Sequence, residues 1–295
     1  YKRQDNAVKL TEETIRIIDN EEFGEQLKLN AIRSLSCYYD ELRQSAKSLE
    51  YGELFLAGAK TLFGDSSIEY AEALSNLGAF NCHAGNYSAA VQYGQQAMLL
   101  LEQLHLNDYD AGYLYAHIAN TMGELGEYEK ELQYLNTALD YFSVEKYPAE
   151  FASAMDNMAM TYCRMNDYSS ALPLANKAME IRKGLNGENN PMYAYSLNNM
   201  AHIYTELGDY KKALEYDEEA AEIRKRLNGE TSPLYIASLH NLAVDFDKLK
   251  MTDKAVSIDS IALCLALQVF EPDAPEIIYA NYQLADDYYQ SGQYD

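Results

Sequence analysis

The sequence predicts an all-α fold, an α-solenoid of antiparallel helix pairs. Three observations predict it. A long stretch recurs at a fixed interval. Ile181-Arg182-Lys183-Gly184-Leu185-Asn186-Gly187-Glu188, then Pro191 and Tyr195-Ser196-Leu197-Asn198-Asn199-Met200-Ala201, returns 42 residues later. The second copy is Ile223-Arg224-Lys225-Arg226-Leu227-Asn228-Gly229-Glu230, then Pro233 and Ala237-Ser238-Leu239-His240-Asn241-Leu242-Ala243. A period of this size marks repeat architectures, whose units bury their apolar faces only against their neighbours. Within the unit, apolar residues fall at helical spacing: Leu197, Met200, Ala201, Tyr204 and Leu207, then Ala213, Tyr216, Ala220, Ile223 and Leu227. Residues three and four apart share a helix face, so both runs are amphipathic helices. The third observation is the punctuation. Gly208 separates the two runs and suits a left-handed helix end. Asn190-Pro191 and Ser232-Pro233 place a capping side chain before proline at the first helical position.

The same 42-residue ruler orders the rest of the chain. Forward from Gly208 it reaches Lys250 and then Gly292-Gln293-Tyr294. Backward it finds Asn166-Asp167-Tyr168, Gly126-Glu127-Tyr128 and Gly85-Asn86-Tyr87, and the glycine is lost at Arg43. Leu62-Phe63-Gly64-Asp65 and Leu74-Ser75-Asn76-Leu77-Gly78 restore the register. Small residues precede each turn (Gly78, Ala119, Ala159, Ala201, Ala243, Ala285), and alanines follow (Ala97, Ala138, Ala178, Ala220, Ala262). Helix axes approach closely only where side chains are small, so these rows mark crossings. Tyr87, Tyr128, Tyr168, Tyr210 and Tyr294 follow the turns and are expected to pack beneath them. The reading gives first helices of the hairpins near 24–42, 67–84, 109–125, 149–165, 191–207, 233–249 and 275–291. Second helices fall near 3–19, 45–62, 87–105, 128–143, 168–185, 210–227 and 252–269. No linker divides them, so residues 1–295 are expected to form a single solenoid of about six full repeats and a half. The chain enters on a second helix and stops on a first one, with Ile277, Ile278, Leu284 and Tyr288 facing a missing neighbour. This is expected of a piece of a longer protein.

The unit resembles a tetratricopeptide repeat in its 42-residue form, as in kinesin light chains and many bacterial proteins. The Leu-Asn-Asn-Met-Ala and Leu-His-Asn-Leu-Ala helix starts, the Leu207-Gly208-Asp209-Tyr210 turn, Ala213, Ala220 and the Leu-Asn-Gly-Glu links to proline carry the resemblance. It implies a right-handed superhelix whose concave face holds peptides. Similar bacterial repeats often continue into a caspase-like peptidase domain of the CHAT type or a sensor kinase.

Composition narrows the partners. The net charge of −23 disfavours nucleic acid, whose phosphates need a basic surface, and anionic membranes. No apolar run matches a membrane span and no signal-peptide pattern opens the chain, so a cytoplasmic location is expected. A removed leader stays open, because the first residue is Tyr1. Cys37, Cys82, Cys163 and Cys264 show neither metal spacing nor a disulfide framework and are expected to be free thiols. No phosphate-binding loop, nucleophile elbow or His-Glu-x-x-His stands in the sequence, so no enzyme, cofactor or metal is expected. Of the histidines His83, His105, His117, His202 and His240, the register places His117, His202 and His240 on first helices as polar groove residues.

One row carries a functional expectation. Asn76, His117, Asn157, Asn199, Asn241 and Gln283 stand at the same place before successive turns. Asn is a poor helix former and adds nothing to a core. Its amide offers an acceptor and two donors, which suits the backbone of an extended peptide. The alternative is that these amides brace neighbouring helices. In the family this chain resembles, matching Asn positions hold peptide ligands. Flanking groove positions include Tyr113, Tyr195 and Tyr279; Asp156, Asn198, His240 and Tyr282; Asn120, His202 and Asp286; and Glu124, Arg164, Glu206 and Lys248. Acids outnumber bases among them, which favours a neutral or basic guest. The leading expectation is a non-enzymatic scaffold binding a protein or peptide segment. A regulatory arm of a larger signalling protein and a self-assembly scaffold are the alternatives.

Overall fold

The computed structural model describes residues 2–20, 24–104, 106, 108–270, 272 and 274–291. His105 and the turn Gly292-Gln293-Tyr294 lie outside them. Among the described residues there are fourteen α-helices, one 3-10 turn at Gly187–Asn189 and no strand. Hairpin-opening helices are α2 (Glu25–Glu41), α4 (Ile68–His83), α6 (Asp108–Glu124), α8 (Pro148–Arg164), α10 (Pro191–Glu206), α12 (Pro233–Lys248) and α14 (Pro275–Ser291). Closing helices are α1 (Lys2–Asn20), α3 (Ser45–Phe63), α5 (Tyr87–Leu101), α7 (Tyr128–Tyr141), α9 (Tyr168–Asn186), α11 (Tyr210–Asn228) and α13 (Thr252–Val269). The fold is thus an all-α helical-repeat solenoid. None of the described helices is long and apolar enough to cross a membrane.

The helices form two compact units, Tyr1–Glu150 and Phe151–Asp295. In the first, α2 to α7 each pack on the next helix, and opening helices also meet directly, α2 on α4 and α4 on α6. In the second, α9 to α14 pack in the same sequence and α12 also meets α14.

Sequence sets the boundaries. Asn190 and Ser232 cap α10 and α12, accepting from Met192 N–H at 3.0 Å and Leu234 N–H at 3.3 Å, with Pro191 and Pro233 at the first helical turn. The turn after α10 is a Schellman motif: Asp209 N–H donates to Tyr204 O at 2.9 Å and Gly208 N–H to Thr205 O at 3.0 Å. The same left-handed conformation recurs at Arg43, Asn166 and Lys250, with φ of 58°, 59° and 62°. Register holds there without glycine because the flanking helices impose the turn.

The alanines Ala97, Ala138, Ala178, Ala220 and Ala262 are fully buried, as are Gly78, Ala119, Ala159, Ala201 and Ala243 in the preceding row. Ala285 is exposed. The tyrosines after the turns are unevenly buried. Tyr87 is exposed, and Tyr168 is half-buried with its hydroxyl donating to Glu206 at 3.1 Å. Tyr128 and Tyr210 are also half-buried, and Tyr168 packs against the core cluster of Ala159, Cys163, Ala171 and Ala175. All four cysteines are free.

Two backbone sites give measurable consequences. A Cβ at Gly112 would meet the buried Phe142 ring at 2.6 Å, so Gly112→Ala should lower stability by about 1–3 kcal/mol in urea denaturation. Lys250→Gly relieves a left-handed backbone and should raise stability by up to about 1 kcal/mol in the same assay.

Candidate functional site

In the first unit, α2, α4 and α6 enclose a cavity of about 470 Å³ lined by Arg33, Cys37, Tyr38, Glu72, Asn76, Tyr109, Tyr113 and His117, among others. Residues four apart on a helix stack along one face. Tyr109 and Tyr113 accordingly lie nearly parallel with centroids 6.4 Å apart, and Tyr113 continues onto His117 at 6.2 Å. Both tyrosines keep a face open to solvent. Arg33 on α2 donates to both oxygens of Glu72 on α4, at 3.0 and 3.1 Å. His117 Nδ1 lies 2.7 Å from Ser75 Oγ, and burial holds the ring below the usual histidine pKa, so it is neutral at pH 7. Burial likewise pushes the Cys37 thiol up. The cavity is therefore aromatic, with the Arg33 guanidinium paired to Glu72 and a second carboxylate, Asp110, on its wall. His83, at the end of α4, was missed as a groove residue. It bridges Asp40 on α2 at 2.8 Å and Glu124 on α6 at 3.1 Å, and these hydrogen bonds raise its pKa against the effect of burial.

The second unit places several expected groove residues inside. Asp156 and Arg182 form an ion pair with 1 % and 2 % of their side chains exposed. Arg182 also donates to Ser196 Oγ at 2.8 Å and Ser153 Oγ at 3.0 Å, and Ser196 donates to Asp156 at 2.9 Å. Burial raises the Asp156 pKa and lowers that of Arg182, each opposed by the partner's charge. Replacing one partner strands a buried charge, which is far costlier than the net worth of the pair. One period on, Arg224 donates to Ser238 at 2.7 Å. Arg182, Ser196, Arg224 and Ser238 stand in the repeated lines of the sequence, so the signal for this network was present there.

The next position shows the same logic. Asn198 on α10 donates to Asp217 on α11, and one period later His240 Nδ1 on α12 lies 2.7 Å from Asp259 Oδ1 on α13. Asp156, Asn198 and His240 thus each bind a side chain of the following helix. Of the amide row, Asn76 and His117 line the first unit's cavity together and Asn241 is exposed. Asn157 and Gln283 are half-buried. Asn199 is buried, its Nδ2 without an acceptor, and the amide lies near enough to Asp156 to favour the carboxylate. Tyr195, His202, Glu206 and Asn120 are exposed, with Tyr195 over the Arg182 guanidinium at 5.6 Å.

Two carboxyl pairs are buried between repeats of this unit, Asp217 with Asp245 and, 42 residues on, Asp259 with Asp287. Burial, reinforced by Asp217, pushes Asp245 up to about 8; burial, reinforced by Asp247 and Asp259, pushes Asp287 up to about 8. Like charges this close cannot both ionise at neutral pH.

A family profile described as tetratricopeptide repeat matches residues 150–226 and 194–260, and a second profile so described matches residues 71–108; together they cover half of the chain. Among solved structures the chain is similar to BtubC (BKLC) from P. vanneervenii, at 20 % identity and a TM-score of 0.61 over 78 % of this chain and 92 % of that one. It is similar to kinesin light chain repeats from P. anserina, at 17 % identity and a TM-score of 0.55 over 61 % and 86 % of the two chains. It is also similar to a signal transduction ATPase with numerous domains and a tetratricopeptide repeat sensor, from Pyrococcus horikoshii. There the identity is 17 % and the TM-score 0.67, over 98 % of this chain and 45 % of that one. These identities carry the fold alone. No curated protein sequence matches.

The carboxyl pairs give a pH dependence. Unfolded aspartates ionise near 4, whereas Asp245 and Asp287 hold their protons to about 8 when folded. Their stabilising contribution is complete below about pH 4 and is lost as pH rises to about 8. Melting temperature should fall across that window. Asp245→Asn should flatten the fall, with its largest gain over the native chain near pH 8.

Proposed function

We propose, from the premise that the chain belongs to the tetratricopeptide repeat family, that it is a non-catalytic module whose opening helices hold an extended, neutral or basic protein segment. The observation that carries the reading is the cavity on α2, α4 and α6, where Asn76, Tyr113 and His117 converge from two helices on one aromatic surface. Tyrosine faces give contact area at low entropic cost, and the Asn76 amide supplies donors and acceptors for a guest backbone. Asn120, Asn241, His202, Tyr195 and Glu206 offer accessible polar groups on the corresponding helices. Asp156, Asn198 and Asn199 serve the frame rather than the guest in this reading. A net charge of −23 would steer a basic segment and repel an acidic one or a nucleic acid.

Fluorescence anisotropy with arrays of extended ten-residue peptides of acidic, neutral and basic composition tests this. Neutral or basic peptides should bind and acidic ones should not. Tyr113→Ala and Asn76→Ala should each weaken binding by about 1–2 kcal/mol while the affinity per folded molecule, corrected by thermal melts, falls equally. Absence of peptide binding, or losses that vanish after that correction, would sink the reading.

A further inference from the structure

The surroundings of the two carboxyl pairs of the second unit differ at two positions. In the first pair, Asn198 donates to Asp217, and the Thr205 hydroxyl beside Asp245 favours that group's ionised form. In the second, His240 takes the place of Asn198 and Asp247 takes the place of Thr205, each 42 residues on. A third acid has replaced a hydroxyl donor. Asp247 Oδ1 and Asp287 Oδ2 are buried with no N–H or hydroxyl of another residue type reaching them, so the proton that Asp287 shares with its neighbouring acids is what lies between them; Asp287 is only 3 % exposed. Both residues line a cavity of about 210 Å³ between α12, α13 and α14. Lys248 and Lys250 line it too, without reaching either oxygen. A buried acceptor left unpaired costs about 1–3 kcal/mol, more when charged, and one shared proton cannot satisfy every oxygen of three acids, so the arrangement fits further donors from outside. Among the described residues no three side chains are arranged to hold a metal ion.

We infer that this cavity binds an alkylammonium group, supplied by a lysine side chain of an extended guest lying along α12 and α14. An ammonium has three donors radiating from one atom, which suits oxygens offered by separate side chains. A guanidinium instead prefers both oxygens of one carboxylate side by side. Gln283, half-buried on the cavity wall, supplies a neutral amide acceptor, and Val244 borders the path of the aliphatic stem. Charged groups facing Asp287 are Asp247 and Lys248 from α12, Lys250 from the turn that follows it, Asp259 from α13 and Asp286 from its own helix. Burial beside Asp247 and Asp259 keeps Asp287 protonated near neutrality, so capture of the cation releases a proton and tightens as pH rises toward about 8. The lysine source rests on the proposed binding of protein segments; the ammonium site does not.

Carbon-13 carboxyl NMR of the full chain, titrated with n-butylammonium chloride against sodium chloride, tests the site. The Asp247 and Asp287 signals should move saturably with the amine alone. Asp247→Thr installs the residue that the preceding repeat carries, so melting temperature should hold or rise while amine affinity falls about tenfold. Unmoved signals, or equal affinity in the variant, overturn the inference even if peptides bind elsewhere. A second arm compares a lysine-containing extended peptide, its norleucine counterpart and spermidine. The lysine peptide alone should move both signals. Movement by butylammonium with no peptide binding, or spermidine binding about tenfold tighter than the lysine peptide, overturns the protein source of the cation.

Discussion

Close approach of helix axes is the constraint on which everything else in this molecule depends. It is imposed by rows of alanine and glycine repeated with the register, Ala97 to Ala262 after the turns and Gly78 to Ala243 before them. Small contacts leave little room for a thick apolar core, so each repeat buries many shallow contacts in place of a few large ones. Polar residues at neighbouring positions are then carried inside with the backbone. Arg182, Asp156, Asp217 and Asp259 are buried for that reason, and each has found a partner on an adjoining helix.

The fold was legible because it is written in intervals. Helix starts follow Asn-Pro and Ser-Pro, helix ends follow the turn residue, and the alanine rows confirm the phase. Where Arg43 and Lys250 replace glycine the interval still located the turn, since neighbouring repeats fix the backbone conformation even for a residue that disfavours it.

The candidate site was less legible because a helix turns about 100° per residue, so adjacent amides such as Asn198 and Asn199 face differently. Position in the repeat fixes which residues are equivalent. It does not fix whether an equivalent row meets solvent or a neighbour, because that depends on the partner's side chain. Asn199 is buried beside Asp156, whereas Asn241, its equivalent one repeat on, is exposed. His117 was placed correctly in the register, but its pairing with Ser75 and its neutral state come from packing that no single row reveals. Arg182 and Ser196 recur as Arg224 and Ser238, and a periodic Arg–Ser pair on consecutive helices, 14 residues apart in both repeats, was a usable sign of an internal network.

The buried carboxyl pairs also change what the net charge means. The formal value of −23 counts every aspartate as ionised, yet Asp245 and Asp287 hold protons to about pH 8 in the folded chain. The native molecule at neutral pH is therefore less anionic than its own unfolded chain, and folding takes up protons from the solvent. A calorimetric heat of folding would then contain the ionisation enthalpy of the buffer. Two buffers of equal pH but different ionisation enthalpy would report different heats for the same transition.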